Sequence, residues 1–398
     1  MNEKKHNYTH RYFAKAIELL KQYNGKEPLH FYLKKYFSDN KQHGSKDRKF
    51  ISHFCYTFFR IGNNLNAEAI EEKLKIALFI CEDSIESLKE IFDLNWFKNH
   101  SPNINERISF IQSFHRGFSL QNVFPFSEEL SETIDFTAFS KSFFLQPKVF
   151  LRIRNNKKKL VLDKIIKANV PFEIVEESAI AVPQNTPLEN ILQLNNEVVI
   201  QDLSSQKIGS FLESISLKNQ TKSSFLIWDC CAASGGKSIL AKDVFVNAEL
   251  TVSDIRPQII HNLKQRFREA KIQTYKSFIA DLSKPVTLKE KFDLIICDAP
   301  CSGSGTWSRT PEMLLNFDKM EAVEYQLLQR KIVSNTIPHL KESGYFLYIT
   351  CSVFKKENED MAAFISENFS LSCLRSGLIK GYTHQADSMF AALFAAKK

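Results

Sequence analysis

The sequence predicts an α/β protein whose carboxyl-terminal part is a doubly wound, mostly parallel sheet, preceded by a small α+β module and an amino-terminal helical domain. Three observations predict this order. Apolar residues recur at helical spacing through the first 125 residues, short strands surround one helix at 146–210, and strand and helix patterns alternate from residue 224 onward. Such alternation is typical of parallel sheets with helices on both faces.

The first predicted domain, residues 1–125, is helical. The segments HRYFAKAIELLKQY and GSKDRKFISHFCYTFFRIGN carry apolar residues at helical spacing. In the second segment, Ser45 is the expected N-cap and Asp47 lies in the first turn. Residues 126–145 contain the polar run SEELSETID and are interpreted as a linker.

The second predicted domain, residues 146–210, is a small α+β module. KVFLRIRNNKKK predicts an edge strand in which Arg152 and Arg154 alternate with apolar residues. The helix LVLDKIIKAN and the short strands PFEIVEE and AIAVPQ follow it.

The third predicted domain, residues 211–398, contains the parallel sheet. Helical segments such as PQIIHNLKQRFREA separate its strands. Each strand is a short apolar run, which is typical of a buried strand. The predicted strands are FLIWDCC, ELTVSD, TYKSFIAD, FDLIICD, GYFLYIT and, closing the sheet, MFAALFAA.

The formal net charge of the chain is +8. Two segments together carry more positive charge than this, so the rest of the chain is net acidic. Residues 1–50 contain 12 Lys and Arg against 5 Asp and Glu, and residues 146–169 contain 8 against 1. Two basic segments in an otherwise acidic chain favour a polyanionic partner such as a nucleic acid. Solvated surface is the alternative interpretation of each segment alone.

The eight cysteines predict free thiols in a reducing compartment. They show no C-x-x-C pair and no cysteine–histidine cluster, so we expect no metal site. The chain starts with polar and charged residues, and no apolar run reaches the roughly 18 residues of a membrane span. We therefore expect a cytoplasmic protein without membrane contact, and we expect a monomer because no dimerisation signal is present.

Two of the cysteines lie where predicted buried strands end. Cys301 follows FDLIICD in the segment DAPCSGSG, and Cys351 follows GYFLYIT in the segment ITCS. In an open α/β sheet, the carboxyl ends of the strands border the ligand crevice. We therefore expect both thiols to face one pocket, where they suit covalent chemistry on an electrophilic substrate.

A glycine-rich turn and two aspartates are predicted at the same rim. Gly235 and Gly236 in DCCAASGGKS allow the backbone to turn tightly beside a ligand, next to the start of a helix. Asp254 ends the next strand, where it can accept ribose hydroxyls, and Asp281 ends the third. A tight turn and two helix caps are the alternative, but the joint pattern favours a nucleoside cofactor.

Together, CAASGGKS, CDAPCSGSG and YITCSVFKKENED resemble the RNA cytosine-5 methyltransferases of the RsmB/Nop/Sun type, which use S-adenosyl-L-methionine. The resemblance covers about residues 145–398 and extends to VFLRIR, VVIQDLSSQKIG, SDIRPQIIHNLKQR and DSMFAAL. It implies a Rossmann-like class I methyltransferase sheet. The first domain resembles, more weakly, the NusB-like helical domain of RsmB-type enzymes.

The resemblance also implies roles for individual residues. Cys351 would be the nucleophile, Cys301 would help to release the product, and Asp298 would lie between cofactor and substrate. Asp254 would hold the ribose of the cofactor and Asp281 its adenine. The methionine end of the cofactor would lie against the loop formed by Cys231, Ala232, Ala233, Ser234, Gly235, Gly236 and Lys237.

This chain departs from the family's pattern at two places. Ser234 replaces the proline of the usual CAAPGGK loop, so we expect some loss of loop rigidity. The terminal motif, usually DGFF, is DSMF here, which leaves the shape of the pocket's far wall open.

The implied substrate is RNA, and the RsmB-like organisation favours ribosomal RNA by analogy. A transfer-RNA methyltransferase and a catalytically idle RNA-binding assembly factor are the alternatives. Glu357 and Glu359 are interpreted as first-turn helix carboxylates, and Trp307 as either a base-stacking or a core residue. The expected RNA contacts are Arg152, Arg154, Lys157, Lys158 and Lys159.

Overall fold

The computed structural model describes residues 3–184, 186–217 and 224–397, and the chain divides into two compact units. The helical unit comprises Met1–Glu128, Asp135–Gln146 and Trp307–Asp318. The α/β unit comprises Glu129–Ile134, Pro147–Thr306 and Lys319–Lys398. The units therefore do not follow the three predicted domains, because the module and the large sheet share one unit.

The helical unit confirms the helices predicted at the amino terminus. Helix α3 begins after Gly44, which is its N-cap in place of the predicted Ser45. Asp47 lies in the first turn, as predicted, and accepts a hydrogen bond from the Gly44 backbone at 2.8 Å. The helices are α1 (Glu3–Gln22), α2 (Leu29–Asp39), α3 (Ser45–Arg60), α4 (Ile70–Cys81), α5 (Leu94–Asn99), α6 (Ile104–Gln112), α7 (Leu120–Val123) and α8 (Phe136–Ser142).

The predicted linker at 126–145 is wrong. Residues 136–142 form α8, and Phe139 and Phe143 are buried in the helical unit. Arg60 donates to the carbonyl of Phe143 at 2.8 Å. The polar run SEELSETID hid this helix, because the apolar residues that fix it follow the run rather than interrupt it.

The segment Trp307–Asp318 also belongs to the helical unit, although its position in the sequence suggested the sheet domain. The Trp307 side chain is 1% exposed, and its ring packs 4.8 Å from Phe317 and 6.0 Å from Phe124. Of the two interpretations of Trp307, the structure supports core packing.

The module contains a four-stranded sheet in the order β2-β3-β1-β4. Strand β1 pairs antiparallel with both β3 and β4, so it is a central strand and the predicted edge position is wrong. A single basic strand does not reveal how many partners it has, because its partners lie elsewhere in the sequence. The elements are β1 (Val149–Ile153), α9 (Lys158–Lys167), β2 (Glu173–Glu176), β3 (Ala179–Val182) and β4 (Val198–Ile200).

The large sheet has seven strands in the order β10-β11-β9-β8-β5-β6-β7. Strands β5 to β9 run parallel, whereas β11 is antiparallel to both of its neighbours. Strand β10 was not predicted. The elements are α10 (Leu203–Lys207), α11 (Gly209–Ser216), β5 (Leu226–Asp229), α12 (Gly236–Val244), β6 (Glu249–Asp254), α13 (Pro257–Glu269), β7 (Tyr275–Ile279), β8 (Phe292–Asp298), α14 (Met313–Asn316, in the helical unit), α15 (Lys319–Thr336), β9 (Leu340–Thr350), α16 (Glu359–Asn368), β10 (Leu371–Ile379) and β11 (Met389–Ala396).

The middle strands are buried on both faces, as their apolar runs predict. Ile295, Ile296, Leu347 and Ile349 are all fully buried. Among the described residues, no helix has the length and apolar character to cross a membrane.

Candidate active site

Three neighbouring strands bring the predicted site residues to one edge of the sheet. In the β5–β8 pairing Asp229 lies opposite Ile296, and in the β8–β9 pairing Asp298 lies opposite Ile349. The carboxyl ends of the three strands are therefore nearly level, and the segments that follow them meet above the sheet. This is the position of ligand sites in open parallel sheets.

The two thiols predicted to share a pocket are in contact. The Sγ atoms of Cys301 and Cys351 are 3.2 Å apart, and both residues are partly exposed. The hydrogen bond with Cys351, together with burial, raises the pKa of the Cys301 thiol well above its ordinary value. Cys301 is therefore protonated at neutral pH in the resting protein.

The glycine-rich loop has the tight turn that its composition predicts. Gly235 has a φ of +83°, and a Cβ atom at this position would lie 2.8 Å from the Phe267 ring, so only glycine fits. Ala233 also has a positive φ, of 45°, and its backbone donates to Asp254 at 3.0 Å. The loop is thus tied to the end of β6.

Asp254 is held as an anion by Arg256 and by backbone donors. Arg256 donates to its two carboxylate oxygens through Nε at 3.0 Å and Nη2 at 3.2 Å. Burial alone would raise the pKa of Asp254, but Arg256 and the backbone donors outweigh it and lower the pKa. Asp254 is therefore an ionised acceptor beside the loop.

A cavity of about 280 Å³ lies at the loop. Ala232, Ala233, Ser234, Gly236 and Lys237 line it from one side, and Asp298 and Cys351 line it from another. Lys237 donates to Asp298 at 2.6 Å. Burial opposes the charge on Lys237, but the Asp298 carboxylate outweighs burial and raises the pKa of this lysine, which stays protonated.

Five of the predicted catalytic and cofactor-binding residues do not line this cavity, and four of them adjoin it. The Cys301 sulfur contacts the Cys351 sulfur, and the Asp254 carboxylate accepts a hydrogen bond from the loop backbone. Gly235 lies within the loop, next to the Phe267 ring, and Cys231 directly precedes the first loop residue that lines the cavity. Asp281 follows β7, two strands from β5, and accepts hydrogen bonds from Ser283. These bonds and nearby Lys284 lower the pKa of Asp281.

Ser234, which replaces the family's proline, is held by a side-chain contact. Arg266 donates through Nη1 to the Ser234 hydroxyl at 2.8 Å and to its carbonyl at 3.1 Å. The same guanidinium donates through Nε to Asn195 at 3.0 Å. The expected loss of loop rigidity is thus countered by a partly buried set of hydrogen bonds from Arg266, a clamp that the sequence did not reveal.

The DSMF motif forms part of the cavity wall. Asp387 and Met389 line the cavity, while Ser388 is buried and donates through its backbone to the carbonyl of Gly305 at 2.8 Å. A Cβ atom on Gly305 would lie 2.0 Å from the Ser388 carbonyl, so glycine is required there. Gly305 also donates to the Cys351 carbonyl at 2.9 Å.

Glu357 is one of two site residues that the sequence interpretation missed. It is fully buried in a short 3₁₀ turn that precedes α16, rather than in the first turn of the helix. Its carboxylate accepts from the Ser302 backbone at 2.9 Å, from the Ser302 hydroxyl at 2.5 Å and from the Ser352 hydroxyl. Burial raises its pKa, although these donors oppose the rise.

This carboxylate therefore joins the residues that directly follow the two site cysteines. The only sequence signal was the serine after each cysteine, in PCS and TCS, which gives no indication of a shared acceptor.

Asp229 was also missed. It is fully buried at the end of β5, accepts from the Ser238 hydroxyl at 2.5 Å, and has its pKa raised to about 7 by burial.

Three further thiols lie close together near the loop, although the sequence shows no C-x-x-C pair. The Sγ atoms of Cys230, Cys231 and Cys297 lie within 4.8 Å of one another. Cys230 and Cys297 are fully buried in the apolar core of the sheet.

Two of the five expected RNA contacts are wrong. The Arg152 side chain is buried and pairs with Asp243 at 2.6 Å. Arg154 pairs with the same carboxylate and also donates to the Ala270 carbonyl at 2.7 Å. Both guanidiniums are used inside the α/β unit. By contrast, Lys158 and Lys159 are exposed at the start of α9, and Lys157 is partly exposed.

Comparison with known proteins agrees with this geometry. Residues 214–378 match the family model described as 16S rRNA methyltransferase RsmB/F. Ribosomal RNA small subunit methyltransferase B of Proteus mirabilis is 28% identical over 50% of this chain and 46% of its own length. Mouse tRNA (cytosine(72)-C(5))-methyltransferase NSUN6 is 32% identical over 36% of this chain and 32% of its own length. The chain spans about half the length, or less, of the curated relatives it matches.

Solved structures share the fold. The crystal structure of PH0851 superposes with a TM-score of 0.69, covering 98% of each chain at 16% identity. A methyltransferase homologue from Pyrococcus horikoshii gives a TM-score of 0.57, covering 72% of this chain and 99% of its own at 17% identity. The predicted Rossmann-like sheet with an amino-terminal helical region is confirmed.

Proposed function

We propose that this chain transfers a methyl group from S-adenosyl-L-methionine to ring carbon 5 of a cytosine in RNA, because residues 214–378 match the family model described as 16S rRNA methyltransferase RsmB/F. The observation that carries this proposal is the contact between Cys301 and Cys351 beside a cavity lined by the glycine-rich loop. A fold alone would not support it, since one fold serves many activities.

The residues around the cavity fit the cofactor. The loop backbone reaches the cavity at the start of α12. Ionised Asp254, beside the loop, is our proposed acceptor for ribose hydroxyls, which would take the place of the Arg256 side chain on its carboxylate. Asp281 is our proposed partner for the adenine, and the segment Cys231–Lys237 for the methionine end. When bound, S-adenosylmethionine supplies an electrophilic methyl group.

Cys351 is the proposed nucleophile because it lines the cavity, whereas Cys301 does not. Carbon 5 of cytosine is a weak nucleophile on its own. Addition of the Cys351 sulfur to ring carbon 6 makes carbon 5 enamine-like, so that it can attack a methyl group. One difficult step is thereby divided into two easier ones.

Asp298 and Lys237 are proposed to stabilise the ring during this addition. Negative charge develops at ring nitrogen 3 as the sulfur adds, and a proton or hydrogen bond there offsets it. The ion pair places the protonated Lys237 amine 2.6 Å from the Asp298 carboxylate, so the pair offers a positive charge and a hydrogen-bond donor for this position.

Cys301 is proposed to remove the proton from carbon 5 and so release Cys351. In the resting protein the hydrogen bond with Cys351 is the largest cause of the raised pKa of Cys301. That hydrogen bond is lost once the Cys351 sulfur is bonded to carbon 6. One cause of the raised pKa of Cys301 is then removed, which favours the thiolate that acts as the base.

The test is methyl transfer from labelled cofactor into total RNA of a strain that lacks the protein, followed by bisulfite sequencing. We expect label in small-subunit ribosomal RNA at a cytosine that resists bisulfite only when the protein is restored. Label in transfer RNA would support the alternative suggested by the similarity to the mouse enzyme. RNA binding without label would identify an idle assembly factor and refute the proposal.

The clamp on Ser234 predicts a selective effect on cofactor binding. Replacing Arg266 by alanine removes two hydrogen bonds from the loop, each worth about 1 kcal/mol. We expect KM for S-adenosylmethionine to rise by about 5- to 30-fold with little change in kcat. Arg268→Ala, at an exposed position on the same helix, is the control. An unchanged KM in Arg266→Ala would show that the clamp does not affect the cofactor.

The basic start of α9 predicts a salt-dependent contribution to RNA binding. Replacing Lys157, Lys158 and Lys159 by alanine should weaken binding and reduce the slope of log K against log salt by about 2, as expected for three contacts to single-stranded RNA. Binding titrations at several salt concentrations measure this slope. Lys289→Ala/Lys291→Ala, at exposed positions elsewhere in the unit, is the control. An unchanged slope in the triple variant would place this patch away from RNA.

A further inference from the structure

We infer that Cys301 and Cys351 also form an oxidative modification site, at which a hydroperoxide joins the two sulfurs in a disulfide and a dithiol reductant restores them. The effect on methyl transfer rests on the proposed function. Formation of the disulfide does not rest on the proposed function, since it depends only on the positions and reactivity of the two thiols.

The separation of the two sulfur atoms is the first reason. At 3.2 Å they are in contact, and a shift of about 1 Å would bring them to bonding distance. Cys351 directly follows β9, and Cys301 lies three residues after β8. Neither cysteine is inside a strand ladder, so this small shift does not require strand hydrogen bonds to break.

The surrounding contacts keep the sulfurs together. Glu357 accepts hydrogen bonds from Ser302 and Ser352, which follow the two cysteines. Gly305 donates to the Cys351 carbonyl at 2.9 Å. Both segments are therefore fixed to each other, so oxidation of one thiol leaves the other within reach at a high effective concentration.

The remaining cysteines are less suited to this reaction. Cys55, Cys230 and Cys297 are fully buried, where a hydroperoxide has poor access. Cys81 is partly exposed, but it ends α4, outside the segments that hold the thiol pair. Cys373 is exposed, but it is on β10, away from the thiol pair at the strand ends of β8 and β9. Cys231 is partly exposed and lies near Cys230 and Cys297, so a bond within that cluster is the competing outcome.

The reaction balances with the hydroperoxide as the oxidant. One thiolate attacks the peroxide oxygen and becomes a sulfenic acid, while the peroxide is reduced to water. The second thiol attacks the sulfenic sulfur, forms the S–S bond and releases a second water. In total, two thiols and one hydrogen peroxide give one disulfide and two waters.

The test uses the full-length protein treated with hydrogen peroxide and then digested without reduction. We expect a mass loss of two hydrogens, a peptide pair linking Cys301 to Cys351, and at least a tenfold loss of methyl transfer that dithiothreitol reverses. Cys373→Ser should behave like the unmodified sequence, whereas Cys301→Ser and Cys351→Ser should each give no such peptide pair.

Two results would overturn the inference. One is a disulfide within the Cys230, Cys231 and Cys297 cluster in place of the expected pair. The other is irreversible oxidation of Cys351 with Cys301 still free. If the expected disulfide forms but the reduced protein transfers no methyl group, the modification site stands and the proposed function fails.

Discussion

Replacing Cys351 by alanine should reduce methyl transfer to RNA by about 10³-fold or more, because the nucleophile that activates the ring is lost. The Cys301→Ala protein should be equally slow over many turnovers, but for a different reason. Addition and methyl transfer still occur in it, whereas the carbon 5 proton is not removed. The RNA therefore stays bound to Cys351.

The two variants can be separated on a denaturing gel with labelled RNA. We expect a protein–RNA adduct with Cys301→Ala and no adduct with Cys351→Ala. Cys373→Ala, which changes an exposed cysteine on β10, should turn over normally. If Cys351→Ala forms the adduct and Cys301→Ala does not, then Cys301 is the nucleophile and the proposed mechanism is contradicted.

Replacing Glu357 by alanine is the second change with a large expected effect. The Ser302 and Ser352 hydroxyls, the Ser302 backbone and the Gln329 amide, 3.1 Å away, would all lose an acceptor in a buried position. Such losses cost about 1–3 kcal/mol for each group that stays unpaired. We expect the free energy of unfolding to fall by about 3 kcal/mol and methyl transfer by about 100-fold.

A purely structural role for Glu357 would reduce stability but not the reactivity of the folded protein. If Glu357 positions the thiols, the folded Glu357→Ala protein should also form the Cys301–Cys351 disulfide at least tenfold more slowly. Glu357→Gln, which keeps the shape and one acceptor oxygen, should recover part of this rate. Glu359→Ala is the control, since this nearby carboxylate accepts from Ser131 and not from the residues after the cysteines. An unchanged rate of disulfide formation in Glu357→Ala would limit its role to stability.

The sequence predicted the thiol site because its signals are local. An apolar run followed by a cysteine and then by small polar residues marks both a buried strand and its end, and Cys301 and Cys351 fit this pattern. In parallel strands with level ends, residues that directly follow the strands must meet. These facts predicted that both thiols face one pocket, and the structure adds that the two sulfurs are in contact.

The features that were missed depend on partners far away in the sequence. Arg152 and Arg154 looked like surface residues because Asp243, which neutralises both, lies about 90 residues later. Glu357 looked like a helix-end carboxylate because Ser302 is 55 residues earlier. The hydrogen bond from Arg266 to Ser234, which compensates for the missing proline, was not predicted because the two residues are 32 positions apart. Local patterns predict elements, but they do not predict which polar groups satisfy one another across elements.

The central claim is that the sulfurs after β8 and β9 act on one pyrimidine, with Cys351 as the nucleophile. The most direct measurement is mass spectrometry of the nuclease- and protease-digested adduct formed by Cys301→Ala with RNA and S-adenosylmethionine. We expect a methylated cytidine attached to the peptide that contains Cys351. Attachment to any other residue, or to an unmethylated cytidine, would contradict this account.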